Sequence, residues 1–185
     1  GKDDLIEIIS NMSRYSRKAE TCITDWCISN NEKYQKKAVE MELERHWEEA
    51  RAVIQEFNEY GGGPEYDEED AYGQLRKMDE IVNSHDISWE KRVSILDEML
   101  EEFYVGNSGF DDILMDVADS FCKSNEEKRY LADALAKGGS GYYKGVAASI
   151  YQSIGDHEHY LQTRLANLQY GSDYVEIARY YAKKG

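Results

Sequence analysis

The sequence predicts an all-α protein, in which repeated helical hairpins form an α-α superhelix behind a long antiparallel helix pair. Proline occurs once in 185 residues, and no stretch alternates polar and apolar residues with the period of a strand. The phrases YLADAL at 130 and YLQTRL at 160 also repeat each other. Such repetition indicates stacked hairpins, because one hairpin cannot bury its own apolar stripe and must pack it against a copy.

Residues 2–60 are predicted to form the antiparallel pair. Apolar residues from Leu5 to Cys27 fall on one helical face, which predicts a single amphipathic helix of about six turns. Ser29-Asn-Asn-Glu32 has the form of a capping box and predicts the start of a second helix. That helix is expected to end at Gly61-Gly-Gly-Pro64, because proline cannot continue a helix.

Residues 61–70 are predicted to be a glycine-rich, acidic turn. The carboxylates of Glu65 to Asp70 precede a helical pattern, where negative charge favours the positive end of the helix dipole. A calcium loop is the alternative, but an EF-hand needs alternating oxygen ligands, a central glycine and a distal glutamate, and this run lacks that spacing. The segment is therefore predicted to be the solvated start of a helix.

Residues 71–185 are predicted to hold about three helical hairpins, packed with the rest as one domain. ILDEML at 95, YLADAL at 130 and YLQTRL at 160 begin the hairpins; FDDILMDVADSF at 110, YYKGVAASIYQSIG at 142 and DYVEIARYYAKKG at 173 complete them. The expected contacts set Leu131, Ala132 and Leu135 against Val146, Ala147, Ile150 and Ile154. In the last hairpin they set Leu161, Leu165 and Leu168 against Ile177, Ala178 and Tyr181.

Two longer stretches carry a family resemblance: DDILMDVADSFCKSNEEKRYLADAL and GYYKGVAASIYQSIGDHEHYLQTRLANLQYGSDYVEIARYYAKKG. They resemble the helical region downstream of the zinc finger in SWIM zinc-finger proteins of bacteria and archaea, and the second resembles a tetratricopeptide array. The chain lacks the Cys-x-Cys and Cys-x-His pairs of that finger, so its metal and nucleic-acid roles do not carry over. The resemblance implies a helical scaffold that could be an accessory module of a larger zinc-finger protein.

Charge and composition narrow the expected partners and location. Lys and Arg total 22 against 37 Asp and Glu, a net charge of -15. This charge repels nucleic-acid phosphates and anionic lipid, so neither a direct nucleic-acid partner nor a membrane surface is expected. No targeting sequence or long apolar run is visible, which predicts a cytoplasmic protein. The three cysteines have no zinc spacing and are expected to be small core residues.

The residues that could carry chemistry do not form a catalytic pattern, and no catalytic residue, metal ligand or cofactor is predicted. His46 lies on an apolar stripe and is expected to be a hydrogen-bonded core residue. The pairs Glu98/Glu102 and Glu40/Glu44 share helix faces and are expected to face water. The alternative is a metal-dependent hydrolase, with carboxylates and His46 forming a site between the long helices.

Aromatic residues beside cations are the candidate contact surface. Tyr142 and Tyr180 fall off the apolar stripes, near Lys144 and Arg179, and such residues are favoured at protein interfaces. The sequence thus predicts a non-enzymatic scaffold that binds a basic or amphipathic protein or peptide. A homodimer is a further hypothesis, because the first helix pair has a seven-residue rhythm that could build a four-helix bundle.

Overall fold

The computed structural model describes residues 1–168 and 170–184, and within these ranges the chain forms ten helices and no strand. The helices are α1 (Lys2–Tyr15), α2 (Arg17–Asn30), α3 (Glu32–Tyr60), α4 (Glu65–Ser84), α5 (Trp89–Val105), α6 (Asp111–Phe121), α7 (Asn125–Lys137), α8 (Gly141–Ser153), α9 (His157–Leu165) and α10 (Gly171–Lys184). The predicted all-α class is confirmed. Gln169 and Gly185, in the region predicted to hold repeats, lie outside the described residues.

The first helix is broken at Ser16, where the sequence predicted a continuous helix. Ser16 is extended, with φ -139° and ψ 107°, and its hydroxyl accepts a hydrogen bond of 3.3 Å from the Ala19 amide. Asn31 is extended as well, and its side chain accepts 3.0 Å from the Lys33 amide, so α3 begins at Glu32 rather than at Ser29. Serine and asparagine interrupt helices in this way because their side chains bond the backbone locally.

The long helix α3 packs along α4, whereas the sequence predicted pairing with the helix from Leu5. No described side chain in residues 2–30 is buried, and we call these residues, α1 and α2, the N-terminal arm. The link between α3 and α4 is only four residues long, so it returns the chain along α3, and short connections favour antiparallel neighbours. His46 of α3 and Gln74 of α4 are joined by a buried hydrogen bond of 2.6 Å.

The turn after α3 spans residues 61–64, shorter than the predicted 61–70. Gly61 ends the helix in the left-handed region, at φ +77°, which glycine adopts without steric cost. Helix α4 begins directly after Pro64, with Glu65, Asp67 and Glu68 in its first turn. The acidic run is therefore part of a helix start, as its charge predicted.

Six helices follow Ser88, in the order of the predicted phrases. Helix α6 packs on α4 and α5, and the later helices pack in succession, α7 on α8, α8 on α9 and α9 on α10. Superhelical stacking of repeats stays a prediction. The core is contiguous from α3 to α9, and its largest buried side chains include Phe103, Phe110, Phe121, Tyr151 and Tyr160.

The contacts expected within the repeats differ between the two copies. Leu131, Ala132, Leu135 and Ala147 are buried, and Val146, Ile150 and Ile154 pack partly buried against the same core. In the last hairpin Ile177 is buried, but Leu165, Ala178 and Tyr181 are exposed. The last helix has no following hairpin against it in the described chain, so one side of its apolar stripe faces outward.

Candidate partner-binding cleft

A cleft of about 420 Å³ opens where α8 begins, α9 ends and α10 begins. Its walls include Ser140, Tyr142, Gly145, Arg164, Asn167, Tyr170 and Asp173. These residues come from three helices and the link between α9 and α10, so the fold assembles the cleft from segments about thirty residues apart. Tyr142 and Tyr170 supply the aromatic rims, 54% and 70% exposed respectively.

Short-range bonds hold the start of α8 in place. The Ser140 hydroxyl accepts 3.1 Å from the Tyr142 amide, which caps the helix. The Asn167 side chain donates 2.9 Å to the Gly141 carbonyl and ties the end of α9 to the start of α8. A Cβ on Gly138 would lie 2.7 Å from the Tyr143 ring, so this glycine is required by close packing. The glycines at 138–141 therefore serve a helix boundary and this contact.

Tyr142 belongs to an aromatic group that joins the cleft to the core. Its ring centroid lies 5.9 Å from that of Tyr143 and 6.5 Å from that of the buried Phe103. Partial burial against these rings raises the pKa of the Tyr142 phenol, and the carboxylates of Asp112 and Asp111 raise it further. Tyr142 is thus a neutral, anchored ring in an acidic neighbourhood.

Carboxylates neutralise the cation in the cleft. The guanidinium of Arg164 contacts a carboxylate oxygen of Glu176, and one of its nitrogens lies 4.0 Å from Asp173. Asp173 also accepts 2.8 Å from the Tyr170 amide. Because Arg164 is paired in this way, the carboxylates and exposed tyrosines set the character of the rim.

The structure divides the four predicted contact residues between two neighbourhoods. Tyr142 is exposed as predicted and lines the cleft, and Lys144 lies half-buried two residues further along α8. Tyr180 packs instead against the rings of Tyr160 and His157, at centroid distances of 5.2 and 5.8 Å, while Arg179 is exposed on α10. In the described ranges the cleft is lined by Tyr142 and not by the other three.

The wall residues that were not found from the sequence include Arg164, Asn167 and Tyr170. Asn167 and Tyr170 lie in the non-helical link between α9 and α10, where a periodic pattern carries no information about which way a side chain points. A large aromatic residue inside a predicted break was the available signal, since an aromatic side chain in a loop either packs or remains available for contact.

His46 occupies a core position, as the sequence predicted. Its Nδ1 lies 2.6 Å from Gln74 Oε1, and its Nε2 lies 3.2 Å from an Arg45 guanidinium nitrogen. Because a guanidinium can only donate, Nε2 accepts from Arg45 and Nδ1–H donates to Gln74. Both ring nitrogens are therefore engaged, and this geometry does not favour the hydrolase alternative. The described residues hold no group of three His, Cys, Asp or Glu side chains arranged for a metal ion.

One carboxylate pair does not face water as predicted. Glu102 is buried and accepts 2.9 Å from Arg51 and 2.7 Å from Gln55, while Glu98 accepts 2.7 Å from the Trp47 indole. Both glutamates bind the Arg51 guanidinium, so they join α5 to α3. The two glutamates point inward because Arg51 on the facing helix supplies a cation that pairs with their charge. Glu44 of the second pair contacts Lys91 on α5.

The cysteines differ in their surroundings. Cys122 is buried as predicted, and burial raises the pKa of its thiol to about 12, which keeps it protonated and unreactive. Cys22 is exposed and Cys27 half-buried, contrary to the prediction that all three are core residues. Both lie on the N-terminal arm, whose apolar face is exposed.

A second cleft, of about 600 Å³, lies beside the first turns of α3. Ile28, Val39, Glu42 and the His85–Ile87 link between α4 and α5 line it. Its lining contains no tyrosine, tryptophan or phenylalanine among the described residues, and Ile28 of the arm forms part of it. We therefore regard the smaller cleft at Tyr142 as the better contact site.

Comparisons with protein families, with curated proteins and with solved structures find no match to this chain. Within the described residues no helix is both long enough and apolar enough to cross a membrane.

Proposed function

We propose that this protein is an α-helical interaction module that binds a basic segment of another protein at the Tyr142 cleft. The observation that carries the proposal is the pair of exposed tyrosines, Tyr142 and Tyr170, set beside carboxylates on one concave surface. The repeat-like order of the later helices is typical of scaffolds that act in this way.

The chemistry of the rim selects for a cation. A lysine or arginine over a tyrosine face gains about 0.5–1 kcal/mol when exposed and about 2 kcal/mol when desolvated. The carboxylates of Asp111 and Asp112 lie close enough to Tyr142 to raise its pKa, and Asp173 lies in the wall of the cleft. A cation that reaches the tyrosine rings therefore also meets negative charge. The overall charge of -15 attracts a basic segment from a distance.

The size of the cleft fits part of a peptide. Its 420 Å³ is near the lower end of the roughly 300–1,000 Å³ typical of ligand sites. One long side chain and part of a second would occupy it, while the neighbouring residues of the peptide pack on the tyrosine rims. We therefore expect recognition of an arginine or lysine anchor flanked by apolar residues.

The experiment is a peptide array of basic and amphipathic sequences, probed with the full chain and followed by titration of retained peptides. Tyr142→Ala should weaken binding about tenfold, which corresponds to 1.4 kcal/mol, and 0.5 M salt should weaken it further. Tyr66→Ala is the matched control, because Tyr66 is 76% exposed among the acidic residues of α4 but lies away from the cleft.

Equal loss in the two variants would show that Tyr142 has no particular role in binding and would contradict the cleft. Retention of no basic peptide by the wild-type chain would contradict the proposed function itself.

A further inference from the structure

The N-terminal arm exposes an apolar face that the rest of the described chain does not cover. Leu5, Ile8, Ile9, Met12, Tyr15 and Trp26 are each at least 41% exposed, although all are large apolar side chains. A contiguous patch of this kind on a soluble monomer marks an interaction site. We propose that the arm pairs with the arm of a second copy of this chain, in antiparallel orientation.

The spacing on the arm is that of a coiled coil. Leu5, Met12, Ala19 and Trp26 are spaced by seven, and Ile8, Tyr15 and Cys22 follow three residues after the first three of them. Two such rows form the seam along which one helix packs on another. The helix breaks at Ser16, so the continuous seam is that of α1, and α2 continues the spacing in the sequence only.

Charge on the arm is balanced, unlike charge on the rest of the chain. Residues 2–30 hold four basic and five acidic side chains, whereas the whole chain has a net charge of -15. Two copies can therefore approach through their arms without the repulsion that their acidic bodies would impose. A basic partner, which the Tyr142 cleft favours, has no comparable attraction to this neutral surface.

An antiparallel pairing makes the charges and the apolar rows self-complementary. In this pairing Leu5 lies opposite the partner's Tyr15, and Ile8 lies opposite the partner's Met12. Ile9 lies beside the partner's Ile9 at the two-fold axis. Asp4 flanks this seam, and Lys18, just beyond the break at Ser16, borders the same apolar face and lies toward the partner's Asp4. A two-fold interface repeats each contact, so two Asp4 to Lys18 pairs form.

Both charged side chains of this pairing are exposed on the arm. Asp4 is well exposed in the first turn of α1, where it contacts the terminal ammonium of Gly1. Lys18 lines a cleft of about 430 Å³ together with Ile9, Met12, Ala19 and Ile23, so it borders the apolar face. In a parallel pairing Asp4 would instead lie beside the partner's Ile9, where it meets no opposite charge.

Sedimentation equilibrium of the full chain tests the pairing. The wild-type protein should show twice the chain mass of 21.4 kDa at concentrations on the order of 100 μM. Asp4→Lys and Lys18→Asp should each weaken association at least tenfold, because each creates two like-charge contacts. The double variant D4K/K18D should restore it to within about threefold, as should an equimolar mixture of the two single variants.

Two further variants separate the arm from other surfaces. Ile9→Glu places two carboxylates at the axis and should leave a monomer, while circular dichroism shows that the helices remain. Tyr66→Glu alters an exposed aromatic residue of α4 outside the arm and should leave the dimer unchanged.

A wild-type chain that stays monomeric would overturn the proposal, and so would a dimer that Ile9→Glu leaves intact. Failure of the double charge swap to restore association would overturn the antiparallel pairing. Peptide binding at the Tyr142 cleft is measured separately and does not depend on any of these results.

Discussion

Arg92 shows how much of the tertiary structure depends on single residues. It is buried at the start of α5, where its Nε donates 3.0 Å to the Ile87 carbonyl. Its two terminal nitrogens donate 2.7 and 2.8 Å to the two carboxylate oxygens of Glu127, and one also donates to the Phe121 carbonyl. This one guanidinium therefore joins α5 to the end of α6 and the start of α7.

Glu127 has two functions in this arrangement. It accepts from the Ser124 and Lys123 amides, which completes a capping box, and it binds Arg92. The hydrogen bonds from Arg92 lower the pKa of Glu127 most, and those from the two amides lower it further, against the opposing effect of burial. A depressed pKa stabilises the folded state wherever the carboxyl is ionised in both states.

We predict that Glu127→Gln lowers the free energy of unfolding at pH 7 by about 3 kcal/mol, because it leaves the Arg92 charge buried without its counter-ion. The stabilisation by Glu127 is fully present above its unfolded pKa, near 4.3, and is lost as pH falls through its lower folded pKa. Urea unfolding from pH 7 to pH 2.5 should therefore show the two proteins converge in acid.

Glu126→Gln is the matched control, because Glu126 is exposed in the same first turn of α7. It should differ from the wild type by less than about 1 kcal/mol. Equal effects of the two substitutions would contradict the role assigned to the ion pair.

At the scale of the element, the helix boundaries follow from residues that interrupt the backbone pattern. Ser16, Asn31 and Ser124 each cap a following helix through their side chains. Gly61 and Gly106 end α3 and α5 in the left-handed region, at φ +77° and +63°. Such capping signals act within four residues, so they can be read from the sequence. The sequence does not show whether a capping residue or the apolar periodicity prevails at a given position: Ser16 interrupts a pattern that apolar periodicity alone would continue.

Two glycines of the α3–α4 hairpin should respond to alanine in opposite directions. Gly73 lies inside α4 with open space around an added Cβ, so Gly73→Ala should raise the free energy of unfolding by about 0.5–1 kcal/mol. A Cβ on Gly63 would overlap the ring of Phe57, so Gly63→Ala should lower it. Thermal and urea unfolding of the two variants measure the change in the free energy of unfolding. A change of the same sign in both variants would contradict this prediction.

At the scale of the whole molecule, the chain has a packed body and an arm. The body, from α3 onward, contains all the buried side chains of the described residues, whereas the arm contributes none. Free energy from burial therefore resides in the body, and the arm gains stability only by contact with something else.

We predict that a chain lacking residues 2–30 remains folded. Its cooperative thermal unfolding should keep a midpoint within about 4 °C of the intact monomeric variant Ile9→Glu, because few buried contacts are lost. Differential scanning calorimetry checks the midpoint, and sedimentation should show a monomer. Loss of a cooperative transition would mean that the arm contributes to the core.

The sequence predicted much of the local structure and part of the candidate site. Tyr142 was found as an exposed aromatic residue, and His46 as a core histidine, because each position on a helical stripe has a defined side. Arg164 and Asn167 were not found, since their role depends on a contact with α10 and α8 that periodicity does not encode. The inward orientation of Glu102 depended likewise on Arg51 of another helix.

The sequence by itself determined the all-helical class, the acidic charge and most helix ends, because these follow from composition and from interactions within a few residues. The tertiary structure alone decided which helices pair, which glutamates are buried and where a cleft opens. It set α3 against α4 and left the arm uncovered. The physical reason is that an apolar stripe must be buried but can be buried by any apolar surface of suitable shape. Loop length and the charges of distant segments decide which helix packs against it.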